Sequence, residues 1–327
     1  MKRLKFVGNR YELLNCEESL ELNKIYKARD AYDNRKVLIK VIEHTPNISK
    51  DFMSNLIDES TAIDEINSPY ISKILDVGIH CTEEVVLYYI VSEYSDGIVL
   101  SDIISGNYIH LEAIITMATQ ILKALEQSHS HGLYHGSLKP GNILVDEFYN
   151  VKIFDFGVTK ANKGVNLRSY GDLSYLCPHQ LNINYTDKES DFFTLGVILF
   201  ESIFKRLPFG QATTDLEMLK LIDKGVNWNE IRAINGNEEL INLIKKLMSR
   251  TKKYSSTQEI LIDLSKIMYV KADIQEPEEN SGDEYDEEIE YDDNEKSCIK
   301  EEKLMGQKVV LGSVAALIAL LMVLTCI

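Results

Sequence analysis

The sequence has little of what several classes of protein require. Its five cysteines are scattered and form no Cys-x-x-Cys pair, so we expect no disulfide framework and a reducing compartment. The start, MKRLKFVGNRY, carries basic residues without an apolar run behind them, and we expect no secretory signal there. Basic residues are also in deficit, since 35 Lys and Arg face 51 Asp and Glu for a net charge of −16. Non-specific nucleic-acid binding needs a basic surface, so we exclude that class.

The negative charge is concentrated towards the C-terminus. Residues 273–295 carry thirteen Asp and Glu and neither Lys nor Arg, which leaves the rest of the chain at −3. Low hydrophobicity and high charge cannot offset the entropy lost on ordering a segment. We therefore predict a disordered acidic linker over 273–303, acting as a solvated spacer rather than as a binding tail.

A long apolar run follows this linker. The stretch VVLGSVAALIALLMVLTCI (309–327) has no charged residue, and its length is close to the ~20 residues that a helix needs to cross a bilayer. We predict a transmembrane helix over 308–327; the alternative, a buried core helix, has no partner element beside it. Lysines precede the run and none follows it, so the positive-inside rule predicts that the folded part lies on the cytoplasmic side of the cell membrane.

The folded part changes character along its length. The stretches 36–42 (KVLIKVI) and 85–94 favour strands, and apolar residues at helical spacing favour a helix over 51–66. Residues 141–157 predict two short strands about a turn, and residues 191–204 are apolar on most faces, which predicts a buried helix. A small strand-rich part followed by a larger helical part is an α+β arrangement.

An ordered set of motifs carries a family resemblance. The loop YHGSLKPGNILV alone is ambiguous, because small-molecule kinases of the aminoglycoside or choline type carry a similar loop. The whole set at normal spacing resembles a bacterial serine/threonine protein kinase domain of the eukaryotic type, over about residues 10–268. The resemblance implies a bilobal fold, with an N-lobe over about 10–94 and a C-lobe over about 95–268. The motifs are YHGSLKPGNILV (134–145), DFG (155–157), GDLSYLCPHQ (171–180) and SDFFTLGVILFESIFKRLPF (190–209).

The resemblance implies ATP and Mg²⁺ as cofactors. In the family a strand lysine contacts the nucleotide phosphates and pairs with a helix glutamate; Lys40 and Glu59 stand at those positions. Magnesium prefers hard oxygen ligands, for which Asn142 and Asp155 match the family's residues. Lys139 matches the lysine that neutralises the transferring phosphoryl group. The remaining residues that the resemblance places at the nucleotide are Ile25, Leu38 and Glu93.

The sequence departs from the family at the centre of this site. Ser137 replaces the catalytic aspartate, and loss of a general base typically slows a reaction by ~10²–10⁴. Gly136 replaces the preceding arginine, a change that we interpret as benign. Leu38 replaces an alanine, which leaves less room for adenine. The glycine-rich loop is also gone, since the three glycine positions hold Glu18, Leu20 and Asn23.

One further departure retains a carboxylate. Asp172 stands where the family has a threonine, so the family's Asp/Thr pair has become Ser137/Asp172. We predict that Asp172 pairs with Lys139 and Ser137. In the modest version Asp172 only balances the charge of Lys139. In the bold version it is a relocated base, which requires hydrogen-bond reach to the acceptor hydroxyl.

Three residues outside the cleft complete the resemblance. Asp191 matches the aspartate that braces the catalytic loop through backbone hydrogen bonds, a structural role. His179 stands for the glutamate of the Ala-Pro-Glu motif, and Lys253 stands for its arginine partner in the C-lobe. We therefore expect that both ends of a buried ion pair have changed.

Two functions remain open at this point. The first is a pseudokinase that is tethered to the membrane by its C-terminal helix, binds a protein partner, and holds Mg-ATP weakly with little phosphoryl transfer. The loss of the base, the glycine loop and the adenine-pocket alanine favours it. The second is an active serine/threonine kinase with an atypical catalytic loop, acting on a protein substrate. The retention of both site lysines, of Glu59 and of both metal ligands favours it.

Overall fold

An antiparallel sheet of six strands forms the smaller lobe within the described part of the chain. Its strands follow the order β1-β2-β3-β4-β6-β5, and helix α1 connects β4 to β5. The predicted strands over 36–42 and 85–94 are confirmed as β4 and β6, and the predicted helix over 51–66 is confirmed as α1. The elements are β1 (Phe6–Val7), β2 (Tyr11–Leu13), β3 (Ile25–Asp30), β4 (Lys36–Glu43), α1 (Phe52–Glu65), β5 (Ile74–Cys81) and β6 (Val86–Glu93).

Strand β4 supplies side chains to both faces of this sheet. Successive residues of a strand point to opposite faces. Val37, Ile39 and Val41 belong to the core on one face of the sheet. Leu38 and Lys40 alternate with them and therefore point to the other face, which is the side of the larger lobe. The alternation alone places two predicted site residues on the wall of the cleft between the lobes.

The larger lobe is built on two buried helices. The amphipathic α3 buries its apolar stripe, and α6 is buried on most faces, which confirms the prediction over 191–204. The Asp187 side chain caps the N-terminus of α6 by accepting a hydrogen bond from the Ser190 amide at 2.9 Å. The helices are α2 (Leu100–Gly106), α3 (Leu111–Ser130), α4 (Val158–Ala161), α5 (Pro178–Ile183), α6 (Lys188–Phe204), α7 (Asp215–Lys224), α8 (Trp228–Ile234), α9 (Glu238–Leu247) and α10 (Thr257–Ala272).

A small second sheet lies where the lobes join. Its strands are β7 (Ile98–Val99), β8 (Ile143–Val145) and β9 (Val151–Ile153), and β8 pairs with both neighbours in antiparallel fashion. The predicted pair of short strands about a turn is therefore confirmed. Because β8 follows the catalytic loop and β9 precedes the DFG motif, this hairpin holds both motifs at one edge of the cleft.

The computed structural model describes residues 5–14, 25–81, 86–106, 109–167, 172–234 and 237–272. All of these residues belong to one unit, Met1–Gln275. Among the described helices, none has the length and hydropathy of a membrane span. The predicted linker (273–303), the predicted transmembrane helix (308–327) and the glycine-loop positions Glu18, Leu20 and Asn23 lie outside the described residues.

Candidate functional site

The predicted phosphate lysine and metal ligands lie together in the cleft. The Lys40 ammonium donates to Asn142 Oδ1 at 2.8 Å and forms an ion pair with the Asp155 carboxylate. Both charged side chains are less than a tenth exposed. A carboxylate oxygen and an amide oxygen are the hard donors that Mg²⁺ prefers, so Asn142 and Asp155 fit a magnesium ion by donor type. The ammonium now bridges these two donors.

Asp155 is held in an unusual backbone conformation. Its φ is +69°, in the left-handed region, which costs roughly 1–3 kcal/mol for a residue other than glycine. Such strain persists only where the surroundings hold it in place. The ion pair with Lys40 is one contact that holds the Asp155 carboxylate in place despite this backbone strain. This pattern is typical of functional residues.

The predicted ion pair between Lys40 and Glu59 is wrong for this structure. Among the described residues, Glu59 pairs instead with Lys160 of α4, with 3.0 Å between Oε2 and Nζ. The same Oε2 atom is buried and has no hydrogen-bond partner in the described part of the chain. The contact is therefore ionic without hydrogen-bond alignment. Glu59 faces α4 because α1 packs directly on that helix.

Four further polar contacts fix α4 and the residues after it against α1 and the segment before it. Asn55 Nδ2 donates to the Ala161 carbonyl at 2.9 Å, and Lys163 pairs with Asp51 at 2.9 Å. The buried Asn162 side chain accepts from the Ser49 amide at 2.8 Å and donates to the Asn47 carbonyl at 3.2 Å. We call these contacts, together with the Glu59–Lys160 pair, the α1–α4 interface. This interface keeps the Glu59 carboxylate beside Lys160 of α4 rather than beside Lys40.

Leu38 belongs to an apolar cluster at the position where the resemblance places adenine. It is 2% exposed and packs with the buried side chains of Leu144 and Phe154. Leu38 lies on β4 of the smaller lobe, whereas Leu144 and Phe154 belong to the β8–β9 region, so the cluster joins the two walls of the cleft. Three partly buried residues pack against it: Ile25, Tyr94 and Val99. This contact agrees with the expectation that Leu38 reduces the space for a base.

A buried carboxylate holds the catalytic loop. Asp191 accepts from the backbone amides of His135 at 2.9 Å and Gly136 at 2.8 Å, and it also contacts His129 Nε2 at 2.8 Å. The predicted bracing role of Asp191 is confirmed. His135 is fully buried, and burial lowers its pKa, so its ring is neutral at pH 7. Its Nδ1 accepts from the Ser137 amide at 3.3 Å, and its Nε2 donates to the Phe154 carbonyl at 2.8 Å.

Gly136 occupies a backbone position with little room for a side chain. Its φ is +71°, and a Cβ added there would lie 2.6 Å from Thr186 Cγ2 and 2.8 Å from Thr159 Cγ2. Its carbonyl also accepts from Asn166 Nδ2 and Gln180 Nε2, each at 2.8 Å. The family's arginine would not fit here without movement of the neighbouring segments.

The remaining predicted residues have mixed outcomes. Ser137 is partly buried, and its carbonyl accepts from Asn142 Nδ2 at 3.0 Å, which links the lost-base position to a predicted metal ligand. Glu93 pairs with Lys152 at 2.7 Å across the lobe junction. The Asp172 side chain lies outside the described residues, so its predicted pairing with Lys139 and Ser137 stays a prediction.

His179 and Lys253 face the same cavity in the larger lobe. His179 contacts Asp187 Oδ1 at 3.2 Å and Ser190 Oγ at 2.9 Å, whereas Lys253 pairs with Glu189. Asp187, and then Cys177, raise the pKa of His179 to about 10, so this imidazole is protonated at pH 7. In place of the single ion pair that the resemblance implies, His179 therefore contacts Asp187 and Lys253 pairs with Glu189.

Sequence reasoning missed the residues of the α1–α4 interface. Lys160 and Asn162 follow the DFG motif in a stretch without any periodic pattern. One signal was available, because Asn often ends a helix and Asn162 is the C-cap of α4. Nothing in the local sequence marks Lys160 as a partner for Glu59.

Comparisons with known proteins agree with this geometry. A family model described as the protein kinase domain matches residues 21–263. The probable serine/threonine-protein kinase CPE1738 of Clostridium perfringens is 33% identical over 271 residues, covering 80% of this chain and 39% of that protein. The serine/threonine-protein kinase PrkC of Bacillus subtilis is 30% identical over 223 residues, covering 66% and 34%. A probable PknB kinase of Lactococcus lactis is 29% identical over 273 residues, covering 80% and 42%. The matched region spans less than half of each relative.

Proposed function

Because the chain belongs to the protein kinase family, we propose that it is a pseudokinase: a kinase-like signalling domain with weak Mg-ATP binding and little phosphoryl transfer. The domain would be tethered to the cell membrane by residues 308–327 and would face the cytoplasm. It would act by binding a protein partner. Phosphoryl transfer depends on positioning and charge stabilisation, so each missing element weakens the reaction.

The Leu38 cluster is the observation that carries this proposal. Its side chain is buried against Leu144 and Phe154, where the base of a nucleotide would have to enter. To admit adenine, the protein would have to separate apolar side chains that are removed from water, and burial of apolar area stabilises by ~25 cal/mol per Å². Nucleotide binding must overcome that loss, which favours low affinity.

Two further observations support the proposal. Ser137 supplies a hydroxyl where the family has its base, and a hydroxyl accepts no proton usefully at neutral pH. Glu59 pairs with Lys160, so the Lys40–Glu59 pair that phosphoryl transfer requires is not formed among the described residues. Base, nucleotide pocket and ion pair therefore all differ from a working kinase.

An active serine/threonine kinase is the second candidate. Lys40 contacts both Asn142 and Asp155 in the cleft, and Asp155 keeps a left-handed backbone conformation of the kind found at functional sites. In this alternative a nucleotide would displace the Lys40 ammonium from Asn142, the magnesium ligands would bind the metal, and Asp172 would serve as the base.

Phosphoryl transfer by the full chain separates the two candidates. We would measure labelled γ-phosphate incorporated into the chain itself and into a generic protein substrate, for the wild type, Asp155→Ala and Ser137→Asp. The pseudokinase proposal expects wild-type label at the background set by Asp155→Ala. Wild-type label that disappears in Asp155→Ala would overturn the proposal and make Asp172 the next residue to test. Label gained in Ser137→Asp would show that the base alone had been lost.

Nucleotide affinity tests the Leu38 cluster directly. Leu38→Ala restores the family's residue and should tighten Mg-ATP binding at least several-fold in a calorimetric titration. Val37→Ala is the matched control, because Val37 is the neighbouring buried residue of β4 and points into the opposite core. Equal affinities in the wild type and Leu38→Ala would contradict the role given to this cluster.

A further inference from the structure

A cavity of about 440 Å³ lies in the larger lobe, away from the cleft. Its walls come from α5, α6 and the segment between α9 and α10, and none of the predicted nucleotide or metal residues lines it. Its volume falls within the ~300–1,000 Å³ of typical small-molecule sites. It lies where the resemblance places a buried glutamate–arginine ion pair, both ends of which have changed here.

The floor of the cavity is apolar. Phe192 and Phe193 of α6 and Leu247 of α9 line it, and all three side chains are buried in the core of the lobe. Phe193 is fixed by stacking on Phe209, with ring centroids 6.0 Å apart. Rigid aromatic and aliphatic walls favour a ligand with a hydrophobic body, because burial of apolar surface drives its binding.

The rim of the cavity carries several cationic side chains. His179, Arg250 and Lys253 line it, whereas Glu189 is the one carboxylate among its described lining residues. His179 is protonated at pH 7 for the reason given above. Lys252, which lies between Arg250 and Lys253 in the sequence, adds a further exposed cation. Each of the three lining cations has a carboxylate partner, which is Asp187 for His179, Asp223 for Arg250 and Glu189 for Lys253.

The present partners of these cations are exchangeable. Arg250 pairs with Asp223 at 2.6 Å, and both side chains are about half exposed. Lys253 pairs with Glu189, and more than a third of each of these side chains is exposed. Exposed ion pairs of this kind contribute only ~0–1 kcal/mol. An anion that reaches the rim together with a buried hydrophobic body can therefore replace either carboxylate.

We propose that this cavity binds a small organic anion, with its hydrophobic body on Phe192, Phe193 and Leu247 and its negative head group beside Arg250 and Lys253. Binding here is independent of the cleft and of the function proposed above. The head group could be a carboxylate, sulfonate or phosphate, since all three accept hydrogen bonds from guanidinium and ammonium groups. The site would give the kinase-like domain a ligand other than a nucleotide.

The test uses 8-anilinonaphthalene-1-sulfonate as a fluorescent probe on the full chain. We expect saturable binding at one site, displacement by decanoate, and little displacement by decanol, which has a similar body without the charge. The double variant Arg250→Ala/Lys253→Ala should weaken binding by about tenfold or more. Asn182→Trp, at an exposed position of the cavity wall, should block the site and abolish saturable binding.

Matched controls exclude general effects of charge and stability. The double variant Arg206→Ala/Lys266→Ala removes two paired surface cations away from the cavity and should leave the affinity unchanged. Each variant must keep the wild-type thermal unfolding midpoint within a few degrees. Several outcomes would overturn the proposal: no saturable binding, equal displacement by decanol and decanoate, or affinity that survives either Asn182→Trp or Arg250→Ala/Lys253→Ala.

Discussion

The two sides of the catalytic loop differ in how closely they follow the family. On the C-lobe side, the Asp191 carboxylate accepts hydrogen bonds from the backbone amides of His135 and Gly136, as the resemblance implied. On the nucleotide side, Leu38 packs across the cleft, and Glu59 pairs with Lys160 rather than Lys40. The first set of contacts maintains the fold, whereas the second set lies where a nucleotide and its phosphate-binding lysine would act. The contacts that hold the loop therefore match the family, whereas the contacts around Lys40 and Leu38 differ from it.

Removal of the brace should have the largest effect. Asp191→Ala leaves two buried amides without their acceptor and should lower the free energy of unfolding by about 3–5 kcal/mol, because breaking a buried charged contact costs about that much. Urea denaturation of the wild type and the variant measures this difference in the free energy of unfolding. Asp191→Asn keeps the shape of the side chain and should lose less.

The matched control for the brace is Glu230→Ala, which removes a half-exposed carboxylate paired with Arg206. It should change the free energy of unfolding by less than ~1 kcal/mol. A loss of similar size in Asp191→Ala would mean that other contacts hold the loop and that the contrast between the two sides is weaker than described.

Two glycines in the left-handed region offer the next test. Gly132 and Gly136 have φ values of +66° and +71°, but a Cβ meets nothing within 4 Å at Gly132 and meets Thr186 at 2.6 Å at Gly136. Both alanine variants carry the backbone strain, whereas Gly136→Ala alone must also displace the threonines. We expect Gly136→Ala to be less stable than Gly132→Ala by about 1–3 kcal/mol, the usual cost of overpacking.

Thermal or urea unfolding of the two glycine variants, side by side, gives this difference. Equal losses would show that backbone strain alone explains Gly136. In that case the family's arginine would be compatible with this loop, and our interpretation of the packing at Gly136 would be incorrect.

Much of the fold could be predicted because its signals are local. The buried strand β4 and the buried helix α6 follow from the pattern of apolar residues alone. The meeting of Lys40, Asn142 and Asp155 followed from the family resemblance, and the structure brings the three together. These predictions needed only the pattern of apolar residues along a strand or a helix and an ordered set of motifs.

The failures concern contacts between distant segments. Glu59 can face either Lys40 or Lys160, and the choice depends on how α1 packs on α4, which no local pattern encodes. The requirement for glycine at position 136 depends on Thr159 and Thr186, which lie 23 and 50 residues further along the chain. Motif matching identifies the residue at a position but does not give its tertiary neighbours.

The α1–α4 interface gives the smallest effect on stability and the sharpest test of the nucleotide side. Lys160→Met removes the partner of Glu59, a carboxylate whose Oε2 already lacks a described hydrogen bond. Lys160 is about half exposed, and the mostly buried Glu59 carboxylate can turn to Lys40 once Lys160 is removed, so the free energy of unfolding should fall by about 1 kcal/mol. The released Glu59 would be available to Lys40, which should leave Asp155 freer to bind a metal and raise Mg-ATP affinity a few-fold.

Lys163→Met is the matched control, because Lys163 lies three residues further along the chain, just beyond α4, and pairs with Asp51 at the surface instead of with Glu59. Calorimetric titration with Mg-ATP should find its affinity equal to that of the wild type. Suppose instead that Leu38→Ala raises the affinity whereas Lys160→Met does not. The apolar cluster would then be the whole barrier to nucleotide binding, and the Glu59–Lys160 pair would be a consequence of helix packing without influence on the cleft.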